Sequence, residues 1–165
     1  EDLHFWMSPR AVHSQIPEIA NHLIRVFPSL KETIEAQKEK LLTQLSDLDS
    51  QLKKTFESPQ RDTFLVAHPA FSYFCHDYQL QQLSMEDEGQ DISVRDFARK
   101  MDEIKAKGLS RIYVQKQHNY KTAQRLSEAM NLEMVELNPY EENYFENINH
   151  LQKVLVEDLC LVESP

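Results

Sequence analysis

The stretch TFLVAHPAFSYFCHDYQLQQLSM, residues 63–85, decides the fold of this 165-residue chain. It opens with a short apolar run that ends at His68 and is typical of a buried strand. The segment 69–78 is predicted to be helical, and LQQLSM at 80–85 to be a second strand. A strand, a helix and a strand in this order favour parallel pairing through a right-handed crossover.

The same alternation continues towards the C-terminus. The acidic segment 86–91 is predicted to be a loop, and a helix then runs from residue 92 to Lys107, with Gly108 as its C-cap. The remaining predicted elements are two strands, at 111–115 and 134–137, and two helices, at 121–130 and 142–160. Strands and helices that alternate about every 25 residues predict an α/β fold, a parallel four-stranded sheet flanked by helices.

Two helices are predicted before this region. Ser8 and Pro9 form a helix-start signature, and apolar residues then recur at spacings of three and four over 8–27. Pro17 is expected to bend or interrupt that helix. Leucines spaced seven residues apart dominate 29–57, which predicts a second helix with a length of roughly 43 Å.

The composition excludes several classes of function. Eighteen Lys and Arg residues face 27 Asp and Glu, a net charge of −9, and no segment carries the basic stripe that nucleic-acid binding requires. Gly89 and Gly108 are the only glycines, so the familiar glycine-rich nucleotide-phosphate loops are excluded. No apolar run approaches the ~18 residues of a membrane span. Cys75 and Cys160 can be buried free thiols or form one disulfide.

Three polar sequences follow predicted strands directly. They are His68-Pro69 after the first strand, residues 115–118 after the third, and Asn138-Pro139 after the fourth. In open α/β sheets, ligands bind outside the carboxyl ends of the strands. The sequence therefore predicts a binding site where these three segments converge.

Three of the seven histidines stand apart by position. His4 lies in the aromatic segment DLHFW, His68 ends a strand, and His118 lies in a predicted loop. Each also has a purely structural interpretation: His4 at the edge of the core, His68 as a hydrogen-bonded strand-end residue, and His118 in solvent. No HExxH, CxxC or closely spaced histidine pair is present, so a metal site would have to be assembled from distant segments.

Several segments, in order along the chain, resemble the zinc and manganese solute-binding proteins of ABC importers. DLHFW followed by Ser8-Pro9 resembles their Asp-Pro-His-x-Trp signature, and HPAFSYF (68–74) is similar to their His-(Pro/Asp)-Ala-Phe-x-Tyr-Phe segment. The resemblance also takes in the long helix with LLTQLSDLDSQL (41–52), the segment IYVQKQHNYKTAQRLSEAM (112–130), and VELNPYEENYFENI (135–148), which stands where Val-x-Leu-Asp-Pro-Leu is usual.

The resemblance implies a metal carrier, not an enzyme, that works in the periplasm or otherwise outside the cytoplasm and delivers a divalent ion to an ABC permease. The two histidine ligands of these motifs fall on His4 and His68. Manganese carriers have a carboxylate at the second position, so an imidazole there favours Zn²⁺ over Mn²⁺. The acidic ligand of some members falls on Asn138, which offers a neutral carbonyl oxygen, and His118 is a further candidate ligand.

The resemblance also divides the chain. Residues 1–27 would be the tail of an N-terminal lobe, 28–58 the long helix between two lobes, and 59–165 the C-terminal α/β lobe of a cluster A-I solute-binding protein. The family's N-terminal lobe, which supplies another histidine ligand, would precede residue 1. Because Zn²⁺ takes four ligands in tetrahedral geometry, weak binding is expected unless that lobe or a second copy completes the site.

Two other functions remain open at the level of sequence. The leucine repeat of 29–57 can pair with another helix, which would make the chain an interaction module. A zinc hydrolase could use His4 and His68 with Glu142 or Asp77 as a base.

Overall fold

A computed structural model describes residues 2–87, 90–91, 94–115, 117 and 121–160, and these residues form six helices and six strands. The helices are α1 Pro9–Val26, α2 Lys31–Thr55, α3 Ser72–Tyr78, α4 Val94–Ala106, α5 Lys121–Met130 and α6 Tyr144–Leu159. The strands are β1 Thr63–Val66, β2 Gln81–Ser84, β3 Glu86–Asp87, β4 Gln90–Asp91, β5 Arg111–Val114 and β6 Glu133–Glu136. Two 3-10 turns, Phe5–Met7 and Pro28–Leu30, precede α1 and α2.

The central sheet has four parallel strands in the order β2-β1-β5-β6, which confirms the predicted fold class. The chain moves outward from β1 to β2 and then returns past β1 to form β5 and β6 on the other side. The crossovers therefore diverge between β1 and β5, and this reversal opens a crevice at the carboxyl ends of these two strands. His68 follows β1 and Gln115 follows β5 at this crevice.

Alternating side chains of the strands enter two separate cores, one on each face of the sheet. Phe64, Val66 and Tyr113 pack in one core with residues of α2, α3 and α6. Leu65 and Ile112 pack in the other core with residues of α4 and α5. Apolar side chains on both faces explain why β1 appears in the sequence as an uninterrupted apolar run rather than an alternating one.

The start of α1 confirms its predicted capping. The Ser8 hydroxyl oxygen accepts a hydrogen bond from the backbone N–H of Ala11 at 2.9 Å, and Pro9 occupies the first helical position. The helix continues through Pro17 without interruption. Gly108 follows α4 with φ of +62°, the left-handed conformation that glycine adopts without strain, which confirms it as the C-cap residue.

The C-terminal part of the leucine stripe of α2 is buried within the chain. Leu45, Leu48 and Leu52 are buried, and the last two pack with Phe56 in the core formed by α2, α3 and α6. Leucines that are covered by their own domain are not available to pair with another helix. The structure therefore does not favour the interaction module.

The prediction that residues 86–91 form a loop is wrong at 86–87 and 90–91, where β3 and β4 pair as antiparallel strands, and residues 88–89 lie outside the described residues. Backbone hydrogen bonds hold such short strands, so their side chains show no pattern that sequence analysis can detect. The helix predicted from residue 69 begins only at Ser72. The backbone N–H of Phe71 instead donates to the side-chain oxygen of Gln82 at 3.0 Å, which ties this segment to β2.

The cysteines and the helix lengths answer two further questions from the sequence. Cys75 and Cys160 are both free thiols, so the alternative of a disulfide between them is excluded in this structure. No helix within the described residues combines the length and apolar character that crossing a membrane requires.

Candidate metal centre

His4 lies just before the 3-10 turn Phe5–Met7 and is almost fully buried. One carboxylate oxygen of Asp2 accepts hydrogen bonds from the backbone N–H of His4 at 2.9 Å and from its ring nitrogen Nδ1 at 2.7 Å. The other oxygen accepts from the backbone N–H of Ser72, the first residue of α3, at 2.8 Å. Asp2 therefore fixes the orientation of the imidazole and ties this segment to the helix that follows His68.

Asp2 also decides which ring nitrogen of His4 is available. Burial raises the pKa of Asp2, but the hydrogen bonds that it accepts from His4 and Ser72 outweigh burial and hold this pKa below its usual range. The ionised carboxylate can only accept, so Nδ1 of His4 donates to it, and of the two neutral tautomers this selects the one whose lone pair lies on Nε2. Nε2 is therefore the atom of His4 that can bind a metal ion.

His68 is held in a similar way, two residues beyond the end of β1. Its Nδ1 lies 2.7 Å from the carboxylate oxygen Oε2 of Glu86 in β3, and both side chains are largely buried. The side-chain amide of Gln115, at the end of β5, donates to the backbone carbonyl of His68 at 3.2 Å. Both the ring and the backbone of His68 are thus positioned by residues distant in sequence.

The fold brings the two histidines together. Their ring centroids are 5.4 Å apart, and their planes are inclined at 79°. Two imidazoles that bind one tetrahedral Zn²⁺ through a nitrogen at 2.0–2.1 Å have ring centroids about 5.2 Å apart. The observed separation therefore allows shared coordination without a large movement of either ring.

The loop after β6 closes one side of this pair. The Tyr140 hydroxyl lies 3.0 Å from Nε2 of His4, and the indole N–H of Trp6 donates to the backbone carbonyl of Pro139 at 2.9 Å. The Tyr140 ring also packs against the rings of His4 and Trp6, at centroid distances of 5.9 and 5.8 Å. The carboxyl ends of β1 and β6 thus converge on the N-terminal segment.

The two further candidate ligands predicted from the sequence are Asn138 and His118. The side-chain oxygen of Asn138 accepts from the Gln117 amide at 2.8 Å and from the Tyr140 backbone N–H at 3.1 Å, and its amide nitrogen donates to Glu141. Tyr140 and Glu141 lie in the same loop as Asn138, whereas Gln117 lies in the segment after β5, and neither histidine is among these partners. His118 lies outside the described residues. Within the described residues, no group of three or more His, Cys, Asp and Glu side chains is arranged to hold a metal ion.

Asp77 and Glu142, the two carboxylates considered as bases for a hydrolase, do not lie in surroundings typical of a catalytic base. Asp77 accepts a hydrogen bond from the Ser8 hydroxyl and lies 3.8 Å from the Arg10 guanidinium, so it supports the start of α1. Glu142 is exposed. Neither arrangement favours the hydrolase.

Sequence analysis did not identify three residues that surround the site, namely Asp2, Glu86 and Tyr140. Asp2 had a detectable signal, since a carboxylate two residues before a histidine can reach its ring nitrogen. Glu86 had none, because it meets His68 only through the pairing of β1 with β2 and the start of the β3–β4 hairpin. Tyr140 contacts His4 across 136 positions of sequence, so only the tertiary structure identifies it.

The chain is similar to proteins named for metal and zinc binding. It is 30% identical to a protein of Chlamydia muridarum described as metal-binding, over 89% of this chain and 54% of that protein. It is 25% identical to the zinc-binding protein AdcA of Streptococcus pyogenes serotype M1, over 85% of this chain and 28% of that protein. The chain thus spans about half the length of the first relative and less of the second.

The structural comparison agrees with the sequence comparison. The crystal structure of a zinc-bound ZnuA deletion mutant superposes with a TM-score of 0.91 at 25% identity, covering 100% of this chain and 63% of that chain. Residues 1–158 match the family described as zinc-uptake complex component A, periplasmic. Because this match takes in nearly the whole chain, the protein belongs to that family.

Proposed function

We propose that this chain binds Zn²⁺ as transported cargo through Nε2 of His4 and Nε2 of His68. The observation that carries the proposal is a pair of imidazoles whose ring centroids are 5.4 Å apart, each with a carboxylate at its Nδ1. Carboxylates in this position orient ligating histidines and increase their basicity in zinc sites. The names of the zinc-binding relatives support the same cargo.

The donor atoms favour zinc over manganese. Imidazole nitrogens suit Zn²⁺, whereas Mn²⁺ is better served by carboxylate and carbonyl oxygens. The two carboxylates close to the site, Asp2 and Glu86, are engaged with the Nδ1 atoms of the histidines. In this proposal they orient the ligands, and Mn²⁺ is the weaker cargo.

The remaining ligands of a tetrahedral ion come, in this proposal, from outside the described residues, from water or from another part of a two-lobed carrier. The apolar face of α1 supports a further packing partner, since Ile19, Leu23 and Val26 are 52%, 40% and 54% exposed. Residues 1–27 would then belong to the N-terminal lobe, 28–58 to the helix between the lobes, and 59–165 to the C-terminal lobe. The partner is that lobe or a second copy of the chain.

The proposed role of the whole protein is delivery of the ion to an ABC permease outside the cytoplasm. Membership of a zinc-uptake family described as periplasmic supports this role. In this role the bound ion leaves chemically unchanged, so the histidines need to bind and release it reversibly.

The test is a Zn²⁺ titration of the full chain in competition with a chromophoric chelator. We expect His4→Ala and His68→Ala each to weaken Zn²⁺ binding at least about tenfold, because each removes a direct ligand. His150→Ala, which removes an exposed histidine of α6, serves as the matched control and should bind like the wild-type chain. Equal affinity of all four proteins would contradict the proposed site.

A further inference from the structure

The hydroxyl of Tyr140 lies at the one atom of His4 that the proposed function needs. Asp2 Oδ1 accepts from the backbone N–H of His4 and therefore acts as an acceptor, so Nδ1 of His4 donates to it. In the neutral tautomer that this contact selects, Nε2 carries the lone pair, and the Tyr140 hydroxyl, 3.0 Å away, donates its hydrogen bond to that lone pair. A nitrogen lone pair cannot accept this hydrogen bond and bind a metal ion at the same time.

We infer that Tyr140 caps the empty site by competing with the metal ion for Nε2 of His4. The inference rests on the proposed function, because it requires His4 to be a ligand. The hydrogen bond stabilises the metal-free form, and it is lost when Nε2 binds the ion. Tyr140 therefore lowers the affinity of the site and favours release of the cargo.

The surroundings of Tyr140 suit a side chain that leaves without disrupting the core. Its backbone is held by the Asn138 side chain, and the carbonyl of the preceding Pro139 is held by Trp6. Its side chain, in contrast, is half exposed, and its ring contacts the His4 and Trp6 rings at centroid distances of 5.9 and 5.8 Å. The loop can thus stay fixed while the phenol turns away from His4.

The test compares the Zn²⁺ affinity of the wild-type chain with that of Tyr140→Phe, which removes only the hydroxyl. We expect Tyr140→Phe to bind Zn²⁺ about three- to tenfold more tightly, since a net hydrogen bond no longer opposes binding. Tyr73→Phe is the matched control, because Tyr73 is similarly exposed, at 42% against 50% for Tyr140. It should bind like the wild-type chain.

A second measurement follows the hydrogen bond itself. In the metal-free protein, the ¹⁵N chemical shift of Nε2 of His4 should change in Tyr140→Phe and stay unchanged in Tyr73→Phe. Unchanged affinity of Tyr140→Phe would overturn the competition, and weaker binding would make Tyr140 a ligand instead of a cap. Absence of Zn²⁺ binding by the wild-type chain would overturn the proposed function together with this inference, whereas binding that Tyr140→Phe does not tighten would overturn the inference alone.

Discussion

Each histidine of the candidate site is oriented by a carboxylate, but the two carboxylates are supplied differently. Asp2 lies two residues before His4 in the chain, so a local turn is enough to bring its carboxylate to the imidazole. Glu86 reaches His68 from a hairpin that follows a different strand, 18 positions away in sequence. The orientation of His68 therefore depends on correct folding of the sheet edge, whereas that of His4 is largely local.

We expect Glu86→Gln to weaken Zn²⁺ binding by about 10- to 100-fold, the usual cost of losing a carboxylate behind a ligating histidine. Glutamine can still accept from Nδ1, but it lacks the charge that increases the basicity of the ring. The measurement is the same chelator competition, with circular dichroism to show that the fold is retained. Glu18→Gln, at an exposed position of α1, is the control. Similar affinities of the two variants would argue against an orienting role for Glu86.

At the level of the elements, α2 has two different parts. Its C-terminal half carries Leu45, Leu48 and Leu52, which are buried, whereas residues of its N-terminal half are exposed or partly buried. The regular leucine spacing runs through both halves, so periodicity alone does not show which half packs on the sheet. Only the second half carries fully buried leucines, and this half anchors the helix to the sheet domain.

We predict that Leu52→Ala lowers the free energy of unfolding by about 2–5 kcal/mol, because it leaves a cavity in a fully buried site. Leu30→Ala, directly before the first residue of α2, should lower the free energy of unfolding by less than about 1 kcal/mol, since Leu30 is 50% exposed. Urea unfolding followed by circular dichroism measures both values. Equal losses would mean that the packing of α2 is not as described.

At the level of the whole molecule, α6 places a buried acid against β5. The hydroxyl of Tyr113 donates to Oδ2 of Asp158 at 3.0 Å, within the core between the sheet and this helix. Burial raises the pKa of Asp158 above its ordinary value of 3.8, and this outweighs the opposing effects of Tyr113, Arg61 and Arg111. The folded chain therefore binds the proton of Asp158 more tightly than the unfolded chain does, in contrast to Asp2 at the candidate site, whose pKa is lowered.

The raised pKa of Asp158 predicts that the free energy of unfolding depends on pH. Between pH 3.8 and the raised pKa of Asp158, the folded state binds this proton more tightly than the unfolded state, so Asp158 lowers the free energy of unfolding as the pH rises through that window. Asp158→Asn should remove this contribution and flatten the profile there. Urea unfolding at a series of pH values tests it, with Asp47→Asn at an exposed position of α2 as the control. A profile of Asp158→Asn that parallels the wild-type profile would contradict the prediction.

The sequence by itself determined the features that depend on neighbouring residues. The alternation of strands and helices, the Ser8 cap of α1 and the left-handed Gly108 after α4 all follow from local periodicity and backbone chemistry. The position of His68 at the carboxyl end of a strand was also predictable, since it needs only the strand to be recognised. The element boundaries moved by a few residues where long-range hydrogen bonds, such as that from Phe71 to Gln82, replaced local ones.

Only the tertiary structure decided which of these residues meet. The order β2-β1-β5-β6 opens the crevice next to His68, and the N-terminal segment crosses it with His4. The same order brings the loop after β6 to this crevice, where the Tyr140 hydroxyl lies 3.0 Å from Nε2 of His4 and Asn138 is bonded to Gln117 and to its own loop. Such contacts join residues up to 136 positions apart, and the free energy that fixes them comes from the packing of the whole domain, which no local pattern records.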